Sequence, residues 1–264
     1  MAAFLALDPL GIASRRLPPE AAALPCATWS AAAGPAEPVR AGQRVGKFGH
    51  TFLWSELHWP AERLQPWRQH GDPTCDALLD ALRPGPADDV VQAAADAAGS
   101  AQPPAGAEGA RRHALLASWH RSVREVPAWV DWEQLERGQQ VFTVNAPAAA
   151  LSLYYLSLVG GFSAPLITRV LRATAYLTAP PKKVMRRLVD TGAMVAACTT
   201  GGAASLRPGG AGWTAVLQVR VLHAKVRQRL GERKYWRRDE WGVPINQEDM
   251  AVSHAARFIL PGDP

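Results

Sequence analysis

Three residues on one stretch of the chain, Arg220, His223 and Arg227, have types and spacing that could hold a cofactor. In WTAVLQVRVLHAKVRQRL (213–230), Val216, Val219, Val226 and Leu230 recur at helical spacing, and His223 falls on the same face. Arg220 lies three residues before His223 and Arg227 four after, so all three are neighbours along one helix surface. Two nearby cations and partial burial both disfavour an imidazolium. A neutral ring is the form that ligates a metal. The stretch offers no second His, Cys or carboxylate at ligand spacing, which speaks against a protein-only zinc site. A single histidine suffices where a porphyrin provides the other donors. Haem b also brings two carboxylates that arginines can pair. The plainer reading is a packed core histidine between two surface arginines. A second pair, Arg187 and Thr191, has i, i+4 spacing. A guanidinium there could steady bound oxygen or a developing anion, or be simply solvated.

These residues need helices to position them, and the sequence reads as helices throughout. Asp72 and Pro73 open one, with Cys75, Leu78, Leu79 and Leu82 as its apolar stripe. Others are expected over 88–97, 111–124 and 131–142, the last capped by Asp131, then after Pro165, over 182–200 and from Asn246. Two short helices around a turn at Pro60 are expected between His50 and Gln69. The segments 100–110 and 207–212 read as loop and turn. No alternating strand set stands out. The fold expected is all-α: a single multi-helix domain over 50–264, preceded by an irregular, partly disordered N-terminal arm over 1–49.

Composition bounds the function. The chain has 264 residues, 48% hydrophobic and 20% charged, which excludes wholesale disorder and a polytopic membrane protein. Its three cysteines, Cys26, Cys75 and Cys198, are too few and too scattered for a disulfide scaffold, a zinc ribbon or a thioredoxin-like pair. The net charge of +6 is uneven: between Arg169 and Glu240 stand 15 Lys/Arg against 4 Asp/Glu. A block of that kind suits nucleic acid, an anionic membrane surface or an anionic cofactor. No signal peptide is evident, because the charges of the first sixteen residues follow the apolar run. The localisation expected is cytoplasmic or membrane-associated. The uncharged stretch from Gln139 to Thr168 is long enough to span a bilayer, but Asn145, Pro147, Gly160, Gly161 and Pro165 favour a buried helix over 148–159.

The segment VRVLHAKVR (219–227) resembles the haem-ligand motif of the latex-clearing rubber oxygenases, a family that includes fungal oxygenases of the mycophenolic acid pathway. HGDP (70–73), PAWVDWEQLERGQQVF (127–142), LSLVGGF (156–162), RLVDT (187–191) and GVPINQEDMA (242–251) follow the family's order, so the resemblance covers roughly residues 50–255. It implies an all-α, globin-like bundle enclosing haem b, with dioxygen as co-substrate. It also implies cleavage of carbon–carbon double bonds in apolar, isoprenoid-like small-molecule or polymer substrates. Carried over, His223 resembles the proximal iron ligand, Arg220 and Arg227 the arginines that flank it, and Arg187 and Thr191 the distal-side pair. Three departures stand out. Asp190 occupies the place of a lysine able to reach the iron. LRATA (171–175) lacks the glutamate proposed as base. The chain ends at GDP (262–264), where family members continue, which reads as a truncated product, a divergent member or an incomplete gene model.

Two other readings compete with a haem oxygenase. One is a haem-binding member without oxygenase activity. The other is a basic module in which RQRLGERKYWRR (227–238) sets Tyr235 and Trp236 among cations, as in single-stranded nucleic-acid grooves. The first two readings expect no nucleic-acid partner. The same run could lie peripherally against an anionic membrane.

Overall fold

The structure, a computed structural model, describes residues 26–28, 39–47, 50–54, 61–82, 89–100, 102–155, 165–175 and 179–251. After α1 (Ala61–Leu64) and a 3-10 turn over Gln65–Gln69, Asp72 caps α2 (Pro73–Ala81). Its carboxylate accepts from the Cys75 N–H, and Pro73 fills a position where no N–H is needed. Cys75, Leu78, Leu79 and Leu82 are all buried, the stripe the spacing predicts. Asp89 caps α3 (Val90–Gly99) by accepting from the N–H groups of Val91 and Gln92. This turns Val90, Val91, Ala94 and Ala97 inward. They meet Leu116, Ala117 and Trp119 of α4 (Ala107–Arg124), which begins inside the stretch expected to be loop.

Asp131 caps α5 (Trp132–Val144) through the N–H groups of Glu133 and Gln134. Asn145 ends that helix, its side-chain amide donating to the Val141 carbonyl, and the short α6 (Ala146–Ser152) follows. Then come α7 (Pro165–Ala173), α8 (Pro181–Thr199), α9 (Ala211–Gly231) and α10 (Arg238–Trp241). The α9 residues Leu217, Val221 and Ala224 complete the core against α2, α3 and α4.

Helices α8 and α9 form a hairpin joined at one tight point. The Ser205 hydroxyl, on the connecting turn, donates to the Ala197 carbonyl and accepts from the Gly212 N–H. A Cβ at Gly212 would sit 2.6 Å from the Ala197 oxygen, so only glycine lets the two backbones approach this closely. Gln139 of α5 adds a side-chain hydrogen bond to the Cys198 carbonyl at 2.7 Å. Away from this end α8 is an outer layer. None of its residues is fully buried, and Met185 and Val189 stand 61% and 62% exposed.

The all-α class holds, since helices carry the core. Four sequence expectations need correction. The N-terminal arm is not wholly irregular: β1 (Cys26–Thr28) runs parallel to β2 (Arg44–Lys47), and β2 pairs antiparallel with β3 (His50–Leu53). The strand over β3 replaces the short helix expected from His50. The stretch 148–159 is helical over 148–155, α6 running on into a π turn over 153–155, but it is not buried: Ala149 is covered while Leu151, Tyr154 and Tyr155 are exposed; residues 156–159 lie outside the described residues. No helix among the described residues is long and apolar enough to cross a membrane. Finally, α9 buries Leu217, Val221 and Ala224 rather than the expected Val216, Val219 and Val226, which are exposed or half-buried. The helix carries apolar residues on both sides, and periodicity alone does not say which side meets the core.

The layering makes a direct prediction. Leu79→Ala empties a core position and is expected to cost about 2–5 kcal/mol. Met185→Ala, on the outer face of α8, is expected to change stability by less than about 0.5 kcal/mol. Urea unfolding of the two variants beside the parent chain measures the contrast.

Candidate functional site

His223 sits on the half-buried side of α9, one residue from the fully buried Ala224 and hence about 100° around the helix from it. Val216, Val219 and Val226 share its side. Arg187 and Thr191 stand on α8, both half-buried; Thr191 donates its hydroxyl to the Arg187 carbonyl at 2.9 Å, and Arg187 Nη1 reaches the Ala175 carbonyl at 3.4 Å. Measured from the Ala197–Gly212 joint at ~1.5 Å per residue, His223 lies ~16 Å along α9, Arg187 ~15 Å along α8 and Thr191 ~9 Å. The hairpin therefore brings the two helix segments to the same level. Asp190, which follows Val189 on α8, is exposed.

The two flanking arginines have partners the spacing does not predict. Arg220 grips Asp72 with a fork, Nε to Oδ2 at 2.7 Å and Nη2 to Oδ1 at 3.1 Å, and Nη2 also reaches the Thr74 hydroxyl at 2.8 Å. Such bidentate charged pairs are among the stronger hydrogen bonds. Burial alone would raise the Asp72 carboxyl. The hydrogen bonds from Arg220, the Cys75 N–H and Thr74, with the Arg220 charge, outweigh it and hold the group well below the usual carboxylate range. Behind it, burial and the Asp72 charge push the Cys75 thiol up to about 12, which leaves it inert as a nucleophile.

Arg227 is only 6% exposed. Its Nε lies 2.8 and 3.0 Å from the two Asp76 oxygens, and Nη1 donates to the Ile245 carbonyl at 3.2 Å. Gly71 makes room for this side chain: a Cβ there would lie 2.7 Å from both Cδ and Nε of Arg227 and 2.6 Å from Asp76 Oδ2. Arg227 Nη2 is buried and has no hydrogen-bond partner among the described residues.

A strap formed by residues 243–249 locks the same corner from outside. The Val243 N–H donates to the Arg68 carbonyl at 2.8 Å, the Gln247 N–H to the His70 carbonyl at 2.9 Å, and the Gln247 amide to the Gly71 carbonyl at 2.6 Å. Arg68 is paired with Glu248. Asn246, almost fully buried, accepts from the Asp249 N–H and donates to Asp249 Oδ2 and to the Val243 carbonyl. Burial, with Glu248 alongside, pushes Asp249 up to about 6 despite the opposing pull of Arg68 and the Asn246 hydrogen bond. Upstream, Trp236 is buried edge-to-face against Trp241 and donates Nε1 to the Gly242 carbonyl. Arg169 of α7 and Arg237 lie over the Trp241 ring at 4.1 and 5.0 Å. Trp236 in the basic run is thus a packing residue and no open stacking platform.

Sequence reasoning therefore missed Asp76, Arg68, Glu248 and the full role of Asp72, which it placed only as a helix cap. The available signal was HGDP with an aspartate three residues on, a second acidic group one helical turn from the first. At the joint end of the hairpin, a separate cleft of about 390 Å³ is lined by Gln139, Thr143, Val144 and Thr199.

As to fit for a haem, His223 supplies a ligand on a half-exposed apolar side, and the buried Nη2 of Arg227 is one donor left over for an acceptor. Arg220 fits less well than its spacing suggests, because Asp72 and Thr74 already hold it. Among the described residues no cluster of three or more His, Cys, Asp or Glu is placed to hold a metal ion.

Residues 148–260 match the family model described as "ER-bound oxygenase mpaB/B'/Rubber oxygenase, catalytic domain". No curated protein and no solved structure matches the chain.

Two predictions follow from the geometry. Gly71→Ala forces Asp76 and Arg227 apart and is expected to cost about 1–3 kcal/mol, read as a lower urea midpoint. Asp249 is protonated in the folded state up to about pH 6, but in the unfolded chain only to its ordinary value of 3.8. Folding therefore takes up a proton in that window, and the stability contributed is lost as pH rises through it, levelling off above about 6. Asp249→Asn removes this dependence. Its stability relative to the parent is expected to rise from pH 4 to pH 6.5 by on the order of 2 kcal/mol, checked by melting curves across that range.

Proposed function

We propose that this protein is a haem b-dependent oxygenase, a reading supported by the match of residues 148–260 to the mpaB/rubber oxygenase catalytic-domain model. Its substrate would be an apolar, isoprenoid-like alkene that it cleaves or oxygenates with dioxygen. The observation that carries the reading is His223: an imidazole on a half-exposed apolar side of α9, level with Arg187 on the neighbouring helix.

His223 would hold the iron, and the spare Nη2 of Arg227 would donate to a propionate. When bound, the haem supplies the redox chemistry that lets dioxygen react with an alkene. The chain's own residues orient and exclude. Val216, Val219 and Val226 present an apolar surface around His223. Such surfaces keep water from a reacting alkene and favour its apolar body. Arg187 places a permanent cation at the level of His223, suited to orienting a developing negative charge. Thr191, with its hydroxyl on the Arg187 carbonyl, steadies that turn of α8. Arg220 has a structural part, held on Asp72. The basic run at 227–238 fits peripheral contact with an anionic membrane, a surface that would give access to a lipid-like substrate.

The test is to produce the protein with haem supplied and record its absorption spectrum beside His223→Ala. A Soret band at near-equimolar haem, lost in the variant, is the expected result. Folded protein that takes up no haem would overturn the reading. Haem uptake with no oxygen-dependent product from polyisoprenoid alkenes would reduce it to haem binding alone.

A further inference from the structure

We infer that Asp72 and Asp76 are positioning residues for His223: the two aspartate–arginine pairs set the rotation of α9 and so aim the imidazole. The inference rests on the assignment of His223 as the site's ligand.

Arg220, His223 and Arg227 share one stripe of α9. Both arginines on that stripe are tied to the first turn of α2, Arg220 to Asp72 and Arg227 to Asp76. The stripe as a whole is thereby referred to a second helix, and His223 is bracketed from one turn below and one turn above. The core contacts of α9 lie elsewhere, at Leu217, Val221 and Ala224. Apolar packing of this kind is non-directional, so it fixes distance better than rotation. A helix with its side chains has a radius of about 6 Å, so a 10° rotation moves a surface side chain by about 1 Å. Functional groups must hold within about 0.5 Å of their working position. The two directional ion pairs therefore supply what the core does not.

Three further observations support a built device over two ordinary surface pairs. Arg227 is buried, and breaking a buried pair by removing one partner is costly. Gly71 is empty where the Arg227 side chain passes, so the HGDP turn is shaped around it. The strap adds the Ile245 carbonyl to the same guanidinium, so Arg227 is held from two elements at once. The pairs also set the charge balance. Each cation beside His223 on the stripe is matched by one carboxylate.

The variants Asp72→Asn and Asp76→Asn test this. Asparagine still caps a helix, so Asp72→Asn removes the pair and keeps the cap. Asp89→Ala, which removes the α3 cap, serves as a control of similar destabilisation away from the site. The first readout needs no cofactor: ring signals in histidine-labelled protein, with His223 assigned by His223→Gln. Either aspartate variant is expected to shift or broaden the His223 ring signals and leave those of His113, on α4, in place, while Asp89→Ala does not move those of His223. The second readout is haem titration, where the aspartate variants are expected to bind at least tenfold more weakly and with an altered iron–imidazole Raman band. If Asp76→Asn does not fold, Arg220→Lys, at the more exposed pair, keeps the charge, loses the fork and carries the same expectation. Unchanged His223 signals in folded variants would overturn the inference, and so would an equal shift in Asp89→Ala. Wild-type protein that binds no haem, with the His223 shifts still present in the aspartate variants, would uphold the positioning and sink the haem reading instead.

Discussion

The pairing of Arg227 with Asp76 in the space left by Gly71 is the constraint on which the rest of the site depends. It joins the first turn of α2, the last third of α9 and the 243–249 strap through one side chain. A buried ion pair is not in itself a large source of stability, because desolvating both charges offsets most of the attraction. Its value lies in direction. The guanidinium accepts few geometries, and each partner fixes one of them. The Arg220 fork repeats the same logic two turns earlier on α9, at a more exposed position.

Much of the local structure could be read from the sequence because its causes are local. Asp72, Asp89 and Asp131 cap the helices they precede, and Cys75, Leu78, Leu79 and Leu82 form the buried stripe that their spacing predicts. His223, Arg220 and Arg227 share a stripe because helical spacing alone requires it. What could not be read was what each stripe faces. With apolar residues on two sides, α9 packs the side of Leu217, Val221 and Ala224 because α2, α3 and α4 lie there. Periodicity carries no such information. The carboxylates that meet the arginines come from about 150 residues upstream, and a spacing rule within one helix does not reach that far. The short sheet escaped notice because its strands are only three or four residues long, too short for an alternating pattern.

The two sides of the hairpin serve different ends. The joint at Ala197, Ser205 and Gly212 is tight, polar and anchored by Gln139 of α5. Sixteen or so ångströms away, at the level of His223 and Arg187, the outer surface of α8 is open and mixed, with Met185 and Val189 turned outward among Lys182, Arg186 and Asp190. A hairpin fixed at one end and loosely covered at the other keeps its level register while leaving the far end open.

The separation of Asp72 from Arg220 by 148 residues has a consequence for synthesis. A ribosome adds roughly 5–20 residues per second, so the α2 carboxylates emerge roughly 7–30 s before their arginines exist. During that interval α2, α3 and α4 can gather their apolar stripes, but Asp72 and Asp76 stay hydrated. The strap comes later still. The ligand corner is thus the last part of the described chain to close on the nascent polypeptide, onto a scaffold already standing.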